Sequence, residues 1–146
     1  MRIAVGSDDI YSLADFVRKK LVEIGHEVVP YGALIEKKLV PWPKVGYEVA
    51  KAVAEGGADM GVVICYTGTG VSIAANKVKG VRAALCVDAA TARGARLWND
   101  ANVLALSARL TTEEVAKEII EAWFSVEKPD ESEVGNIEML KSLEED

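Results

Sequence analysis

The chain has 146 residues, of which 17 are basic and 23 acidic, so its formal net charge is −6 at pH 7. This length suits one globular domain, spanning 1–146, with a sizeable core. The lack of a basic block excludes a nucleic-acid partner or an acidic membrane surface, and no apolar run approaches the ~20 residues that cross a bilayer. Because nothing at the N-terminus resembles a signal peptide, we expect a soluble, cytoplasmic protein whose cysteines, Cys65 and Cys86, are free thiols.

Apolar runs of strand length alternate along the chain with segments of helical periodicity. This alternation is typical of repeated βαβ units and predicts an α/β fold with five parallel strands. The predicted strands are Ile3–Gly6, Glu27–Pro30, Met60–Cys65, Ala83–Val87 and Val103–Leu106. The predicted helices span about 12–24, 45–55, 71–77, 89–98, 112–124 and 131–144.

Three of these helices have capping side chains near their predicted starts. Ser12 with Asp15 has the spacing of a capping box, and so does Thr111 with Glu114. Asp88 can cap the helix that follows the fourth strand. These residues predict where three helices begin.

Two segments are less regular in their pattern. The segment 31–43 is expected to lack regular structure before the second long helix, because Pro41 and Pro43 flank Trp42. The final helix, 131–144, has a narrow apolar stripe. Such a stripe packs either on a partner subunit or back on its own domain, and the sequence favours neither.

Polar residues follow several of the predicted strands. Ligands of open parallel sheets bind beyond the carboxyl ends of the strands, so these residues are candidates for a site. Asp8 and Asp9 follow the first strand, and Cys65 ends the third. Arg109 follows the fifth. Asp9 fits a local turn or helix cap equally well.

The segment that starts at Cys65 is the most informative in the chain. A thiol beside a helix N-terminus deprotonates more readily than a free thiol and can act as a base or nucleophile. Gly68 and Gly70 let backbone N–H groups converge on an anion, and Thr67 and Ser72 add hydroxyls. Such a loop can stabilise an enediolate, formed when a proton leaves the carbon beside a carbonyl. The simpler interpretation is that Cys65 is a small apolar residue ending a buried strand.

Other sites known from α/β proteins do not fit this sequence. Gly68 and Gly70 have neither the spacing nor the downstream acidic residue of the dinucleotide fingerprint. The phosphate-binding pattern GxxxxGK[ST] is absent. A two-component receiver needs Asp after the third strand and Lys after the fifth, where Cys65 and Ser107 stand. No cluster of His, Cys and Asp has metal-ligand spacing, so we expect neither a metal nor a cofactor.

Four segments in order along the chain point to one known family. They are Gly6-x-Asp8, Cys65-x-Thr67-Gly68-x-Gly70-x-Ser72-Ile73-Ala74-Ala75-Asn76-Lys77, Gly80-Val81-Arg82-Ala83-Ala84 and Asn99-Asp100-Ala101-Asn102-Val103-Leu104. Together they resemble the family of ribose-5-phosphate isomerase type B and galactose-6-phosphate isomerase (RpiB/LacAB). The resemblance implies a Rossmann-like three-layer sandwich, and a homodimer or dimer of dimers with active sites shared between subunits. It also implies cofactor-free interconversion of an aldose and a ketose through an enediolate.

The resemblance assigns roles to individual residues. Cys65 matches the base that transfers the proton, and Thr67 matches a hydroxyl implicated in opening the sugar ring. Asp8 matches an acid that contacts sugar hydroxyls, and Asn99 an asparagine that steadies the developing negative charge. The substrate-binding residues implied as a group are Asp8, Asp9, Trp42, Tyr66, Gly68, Thr69, Gly70, Ser72, Trp98, Asn99 and Arg109.

The chain departs from the family pattern at positions where the family binds phosphate or assists ring opening. Asp9 and Trp98 stand where histidines are typical, and Ser132 and Asn136 stand where arginines are typical. A carboxylate such as Asp9 beside a phosphate would cost Coulomb energy. The resemblance as a whole implies an isomerase of a sugar phosphate of the ribose 5-phosphate type. The alternatives are a shorter or unphosphorylated sugar, or a non-catalytic binding or partner subunit.

Overall fold

A sheet of five parallel strands forms the centre of the computed structural model, which describes residues 1–144. The strands are β1 (Arg2–Ser7), β2 (Glu27–Gly32), β3 (Met60–Cys65), β4 (Ala83–Leu85) and β5 (Val103–Ser107). They lie side by side in the order β2-β1-β3-β5-β4. The predicted parallel sheet is confirmed, although β4 ends at Leu85 rather than Val87 because the chain turns there toward the next helix.

Helices cover both faces of this sheet. Within residues 1–144 they are α1 (Ser12–Glu23), α2 (Ala33–Glu36), α3 (Trp42–Ala54), α4 (Thr69–Ala75), α5 (Ala89–Asn99), α6 (Glu113–Phe124) and α7 (Val134–Ser142). A short 3-10 turn, Glu131–Glu133, leads into α7. In this described part of the chain, no helix is both long and apolar enough to cross a membrane.

The alternation of side chains along each strand divides the core into two layers. One layer joins large aliphatic residues of the strands to α1, α5 and α6, and includes Ile3, Leu104 and Ile119. The other joins smaller residues to α3 and α4, and includes Cys65 and Val71. The result is the three-layer α/β sandwich that the family resemblance implied, with Cys65 facing the α3 and α4 layer.

Glycines allow α3 to approach both the sheet and α4. A Cβ on Gly6 would lie 2.7 Å from side-chain atoms of Val45 and of Val49, so a larger residue in β1 would push α3 away. A Cβ on Gly46 would lie 2.8 Å from the Cβ of Ala74 and 2.9 Å from the Val71 carbonyl oxygen. The first half of α3 is therefore held against α4.

Two of the three predicted caps are wrong. Tyr11 precedes α1, and no side chain caps that helix. At α6 the cap is Thr112, whose Oγ1 accepts a hydrogen bond from the Val115 N–H at 3.2 Å. Thr111 lies one residue further from α6; it is buried, and its Oγ1 has no hydrogen-bond partner among residues 1–144. Asp88 is confirmed as the cap of α5, since its Oδ1 accepts from the Thr91 N–H at 2.8 Å.

The segment 31–43 is more ordered than predicted. It contains α2, and α3 begins at Trp42 rather than Val45. The prolines do not prevent this, because Pro41 is the N-cap residue and Pro43 lies in the first turn, where an N–H has no partner within the helix.

The C-terminal segment packs in this structure against its own chain, beside α5. Ile137 is buried, and the Asp130 N–H donates to the Leu97 carbonyl at 2.8 Å. The Lys141 ammonium lies 3.8 Å from the Asp100 carboxylate. The other members of the predicted apolar stripe are exposed, namely Val134, Leu140 and Leu143. The stripe is thus only partly covered within one chain.

Candidate active site

The carboxyl ends of β1 and β3 lie side by side and bring Asp8 next to Cys65. Ser7 of β1 pairs with Ile64 of β3, and the Asp8 N–H donates to the Ile64 carbonyl at 3.2 Å. On the other side of β3, Cys65 pairs with Ser107 of β5. The residues predicted after the first, third and fifth strands therefore share one edge of the sheet, as a parallel fold requires.

The sulfur of Cys65 is held at the beginning of α4. The Gly68 N–H donates to the Cys65 Sγ at 3.2 Å, and the Cys65 side chain is buried at 5% exposure. Gly68 has a φ of +78° and adjoins other strands so closely that a Cβ there would lie 2.6 Å from Leu85 and 2.9 Å from the Leu106 carbonyl carbon. Only glycine suits this turn. The glycine turn before a short helix that the sequence predicted is present, although α4 spans Thr69–Ala75 rather than 71–77.

The loop between β3 and α4 is tied to the end of β5. The Tyr66 carbonyl accepts hydrogen bonds from the Ser107 hydroxyl at 3.1 Å and from the Arg109 N–H at 2.8 Å. The Thr67 and Thr69 hydroxyls lie on the exposed side of the loop and are 2.8 Å apart. The first N–H groups of a helix have no intrahelical acceptor, so the start of α4 offers donors to an anion beside Cys65. Arg109 has an exposed side chain at the same edge.

Trp42 forms the wall of the site opposite Asp8. A Cβ on Gly70 would lie 3.0 Å from two atoms of the Trp42 ring, so glycine is what allows the indole to pack on α4. An open cavity of about 310 Å³ lies between this ring and Asp8, and its other lining residues are Leu39, Val40 and Pro41. The cavity pairs one carboxylate with an apolar wall.

Asp8 is buried at 7% exposure, and its Oδ1 has no hydrogen-bond partner among residues 1–144. Burial raises the pKa of the Asp8 carboxyl above its ordinary value; hydrogen bonding to Tyr11 opposes this rise, and the charge of Asp9 adds to it. Asp9 is half-exposed, and its Oδ1 accepts a hydrogen bond from the Ile10 N–H at 2.8 Å. That contact fits the local turn role considered for Asp9.

Tyr11 belongs to this cluster and was missed by sequence reasoning. It is half-buried, and burial, followed by the influence of Asp8, raises the pKa of its hydroxyl above the ordinary value. The available signal was its spacing, three residues after Asp8 and directly before α1. No role was predicted for Tyr11.

Two predicted site residues lie far from Cys65 within one chain. Because α5 runs antiparallel to the strands, Trp98 and Asn99 at its end lie near the amino ends of β4 and β5. Asn99 lines a separate cavity of about 430 Å³ together with residues such as Arg82 and Leu140. Trp98 is exposed, and its ring folds over Gly94. One chain thus brings together all the predicted site residues except these two.

Comparison with known proteins identifies the family. The family model described as Ribose/Galactose Isomerase matches residues 3–140. The chain belongs to this family. It is 37% identical over 145 residues to ribose-5-phosphate isomerase B of Escherichia coli strain K12, covering 99% of this chain and 97% of the relative. A D-erythrulose-4-phosphate isomerase of Pectobacterium atrosepticum is 39% identical over 128 residues, covering 87% and 84%.

A solved structure supports the same assignment. Ribose-5-phosphate isomerase B of Clostridium thermocellum superposes with a TM-score of 0.92 at 39% identity, covering 99% of this chain and 97% of that one. This family member is therefore an aldose–ketose isomerase with the fold that its motifs implied.

The buried carboxylate of Asp8 generates a prediction for stability. Because its pKa is raised in the folded state, the folded protein keeps that proton longer than the unfolded chain, and the free energy of unfolding falls as pH rises through the titration. Asp8→Asn removes this cost. We expect the variant to be more stable than the wild type at pH 7, by about 1–2 kcal/mol, in urea denaturation.

Asp9→Asn is the matched control, because Asp9 is half-exposed and already bonded within its turn. It should change stability much less. An Asp8→Asn variant that is no more stable than the wild type at pH 7 contradicts the prediction.

Proposed function

We propose that this isomerase converts a sugar phosphate of the ribose 5-phosphate type into its ketose through an enediolate, with Cys65 as the base. The observation that carries the proposal is the position of the Cys65 sulfur, held 3.2 Å from the Gly68 N–H at the start of α4. A base there faces the helix N–H donors that an enediolate oxygen needs. Proton removal and charge stabilisation are then supplied by one loop.

The reaction divides into steps that the site residues can perform. The Cys65 thiolate takes the proton from the hydroxyl-bearing carbon beside the aldehyde, and the electron pair moves onto the carbonyl oxygen to give the enediolate. N–H groups at the start of α4 stabilise that charge. The proton of the neighbouring hydroxyl passes to the former aldehyde oxygen, and the thiol then returns the carbon-bound proton to the former aldehyde carbon, which leaves the ketone on the second carbon. Thr67 is proposed to assist opening of the sugar ring, as the resemblance implies.

Asp8 is proposed to accept hydrogen bonds from substrate hydroxyls. Its Oδ1 is buried and lacks a partner among the described residues, and Asp8 is one of the residues that line the cavity beside Trp42. A polyol substrate supplies O–H donors that would satisfy this oxygen, and Trp42 offers an apolar surface to the face of the sugar. Both features suit a carbohydrate.

We further propose that the active site is completed by a second copy of the chain, in a homodimer or dimer of dimers. Asn99 and Trp98 lie at the opposite edge of the sheet from Cys65, so they can reach a Cys65 site only from another subunit. Large apolar side chains are exposed around the Cys65 edge, as an interface requires. They include Ile10, Tyr66, Ile73 and Leu110.

A shorter sugar phosphate is the second candidate substrate. Asp9 stands beside the site and would repel a phosphate placed against it, and Trp98 cannot act as a ring-opening acid. A substrate too short to close into a ring needs no such acid. The Pectobacterium relative is named for a four-carbon sugar phosphate, which favours including such compounds in the test.

The first test measures proton exchange. Four- to six-carbon aldoses and ketoses, phosphorylated and free, are incubated with the protein in deuterated water, and incorporation at the carbon beside the carbonyl is followed by NMR. The wild type should exchange with at least one substrate. Cys65→Ala should reduce the rate by about 10²–10⁴-fold, the usual effect of removing a general base.

Cys86→Ala is the matched control for this experiment. Cys86 is fully buried, and burial raises the pKa of its thiol to about 12, so it is no base at neutral pH. This variant should retain exchange. Undiminished exchange by Cys65→Ala overturns the assigned base, and no exchange by the wild type with any substrate favours a binding subunit.

A second test addresses the shared site. Cys65→Ala and Asn99→Ala chains should each be nearly inactive alone. When the two variants are mixed and allowed to exchange subunits, half of the dimers contain one chain of each kind. In such a dimer, one of the two sites has both residues intact. Activity should recover to about a quarter of the wild-type value. If subunits exchange but activity does not recover, Cys65 and Asn99 do not act in one site across the interface.

A further inference from the structure

The helix α5 ends at Asn99 in a turn with a left-handed residue. Asp100 has a φ of +50°, in a region that few residues other than glycine, asparagine and aspartate adopt. The N–H groups of Asp100 and Ala101 both donate to the Ala95 carbonyl, the second at 3.1 Å. If this turn opened, the last turn of α5 would fray, and Asn99 would lose its fixed place beside the cavity that it lines.

Arg82 holds both the backbone and the carboxylate of Asp100. Its Nε donates to the Asp100 carbonyl at 2.6 Å, and its Nη2 donates to Asp100 Oδ2 at 3.3 Å. The Arg82 side chain is only 15% exposed, so water screens this ion pair weakly. Because a guanidinium is a planar fork of donors, two bonds to one residue fix both its distance and its orientation.

The backbone of Arg82 is itself anchored at the edge of the sheet. Arg82 directly precedes β4, and Asn102 directly precedes β5. The Arg82 N–H donates to Asn102 Oδ1 at 2.8 Å, and the Asn102 N–H donates to the Arg82 carbonyl at 3.0 Å. The guanidinium therefore reaches the end of α5 from a backbone that the starts of two strands hold in place.

Two further cations face the Asp100 carboxylate, at longer distances. Arg96 Nη1 lies 3.8 Å from Asp100 Oδ1 and donates to the Ala101 carbonyl at 2.6 Å, but Arg96 belongs to α5 itself. The Lys141 ammonium lies 3.8 Å from Asp100 Oδ2, and its side chain is 42% exposed, so this pair contributes little. Arg82 is therefore the cation that ties the end of α5 to the sheet.

We propose that Arg82 is a positioning residue for the isomerase, which fixes the turn at Asp100 and thereby holds Asn99 where it stabilises the enediolate in the active site of a second copy of the chain. This inference rests on the proposed function, in which Asn99 completes the site of another subunit. A donor that is already in place when charge develops costs no reorganisation during the reaction. Arg82 acts through Asn99 rather than on the substrate.

The variants are chosen to separate this role from a general effect of charge. Arg82→Gln removes the charge and the fork of donors, whereas Arg82→Lys keeps the charge alone. Arg93→Gln is the matched control, because it makes the same change on the exposed side of α5, where the Arg93 guanidinium lies 3.5 Å from the Ser125 hydroxyl. Asp100→Asn replaces Arg82→Gln if that variant does not fold, since asparagine also adopts the left-handed conformation.

Hydrogen exchange of single backbone amides, followed by NMR without substrate, tests whether Arg82 holds the turn. The Asp100 and Ala101 N–H groups should exchange about tenfold faster in Arg82→Gln than in the wild type, because a charge-assisted hydrogen bond no longer opposes opening. Arg82→Lys should have a smaller effect, and Arg93→Gln should have none. Unchanged exchange at both amides in folded Arg82→Gln, or in Asp100→Asn where that variant replaces it, overturns the positioning role.

Steady-state kinetics, with the substrate found by proton exchange, tests whether Arg82 acts through Asn99. Arg82→Gln should lower kcat about tenfold and change KM less than about twofold, because Asn99 is proposed to act on charge that develops only during the reaction. In an Asn99→Ala background, the same substitution should lower the residual kcat less than about twofold, since the side chain that it positions is gone. Arg93→Gln should leave kcat unchanged in both backgrounds.

The outcomes separate this proposal from the proposed function. An equal fall in kcat with and without Asn99 overturns the positioning role, because the effect of Arg82 would then not pass through Asn99. An unchanged kcat in an Arg82→Gln variant whose turn exchanges faster overturns it too. If the wild type lacks isomerase activity, the proposed function fails on its own, and the exchange rates still decide whether Arg82 holds the turn.

Discussion

The hydrogen bond from the Gly68 N–H to the Cys65 sulfur is the contact on which the site depends. It requires the left-handed turn at Gly68, and that turn fits only because no side chain stands between it and Leu85 or Leu106. The same turn starts α4, whose N–H donors then face the sulfur. Close packing of α3 on α4 brings Trp42 over Gly70 and closes the other side of the site. The glycines at positions 68 and 70 therefore determine the geometry of the candidate site.

The site also carries a cost in stability. A carboxylate buried beside an apolar wall, with one oxygen unpartnered, is unfavourable in the free protein. In the proposed reaction, a hydroxyl of the substrate would supply the missing donor. The fold tolerates this because β1 and β3 pair from Ile3 to Ser7 and are buried apart from Arg2 at the start of β1. Functional sites often lower the free energy of unfolding in this way, because a group that is to bind a ligand lacks partners in the free protein.

The sequence predicted the sheet and the Cys65 loop well because both depend on local pattern. β3 is an unbroken apolar run, and the glycines after it have few structural uses other than a tight turn before a helix. The Asp88 cap was found for the same reason. The errors arose where tertiary packing decides: Thr111 is buried and leaves capping to Thr112, and Trp42 begins α3 despite its flanking prolines. Asn99 lies far from Cys65 within one chain because α5 runs antiparallel to the strands, and the sequence pattern alone did not show that.

Removal of the proton beside the carbonyl by Cys65 is the central step of the proposed reaction. The most direct measurement is a crystal structure of the Cys65→Ser variant with a bound aldose phosphate, because this substitution keeps the geometry and slows turnover. We predict that the oxygen of the introduced serine lies about 3–3.5 Å from that carbon, the separation of reacting atoms, with a substrate oxygen facing the N–H groups of α4. A substrate bound with this carbon against another acid or base, and out of reach of the introduced serine, would contradict the role of Cys65.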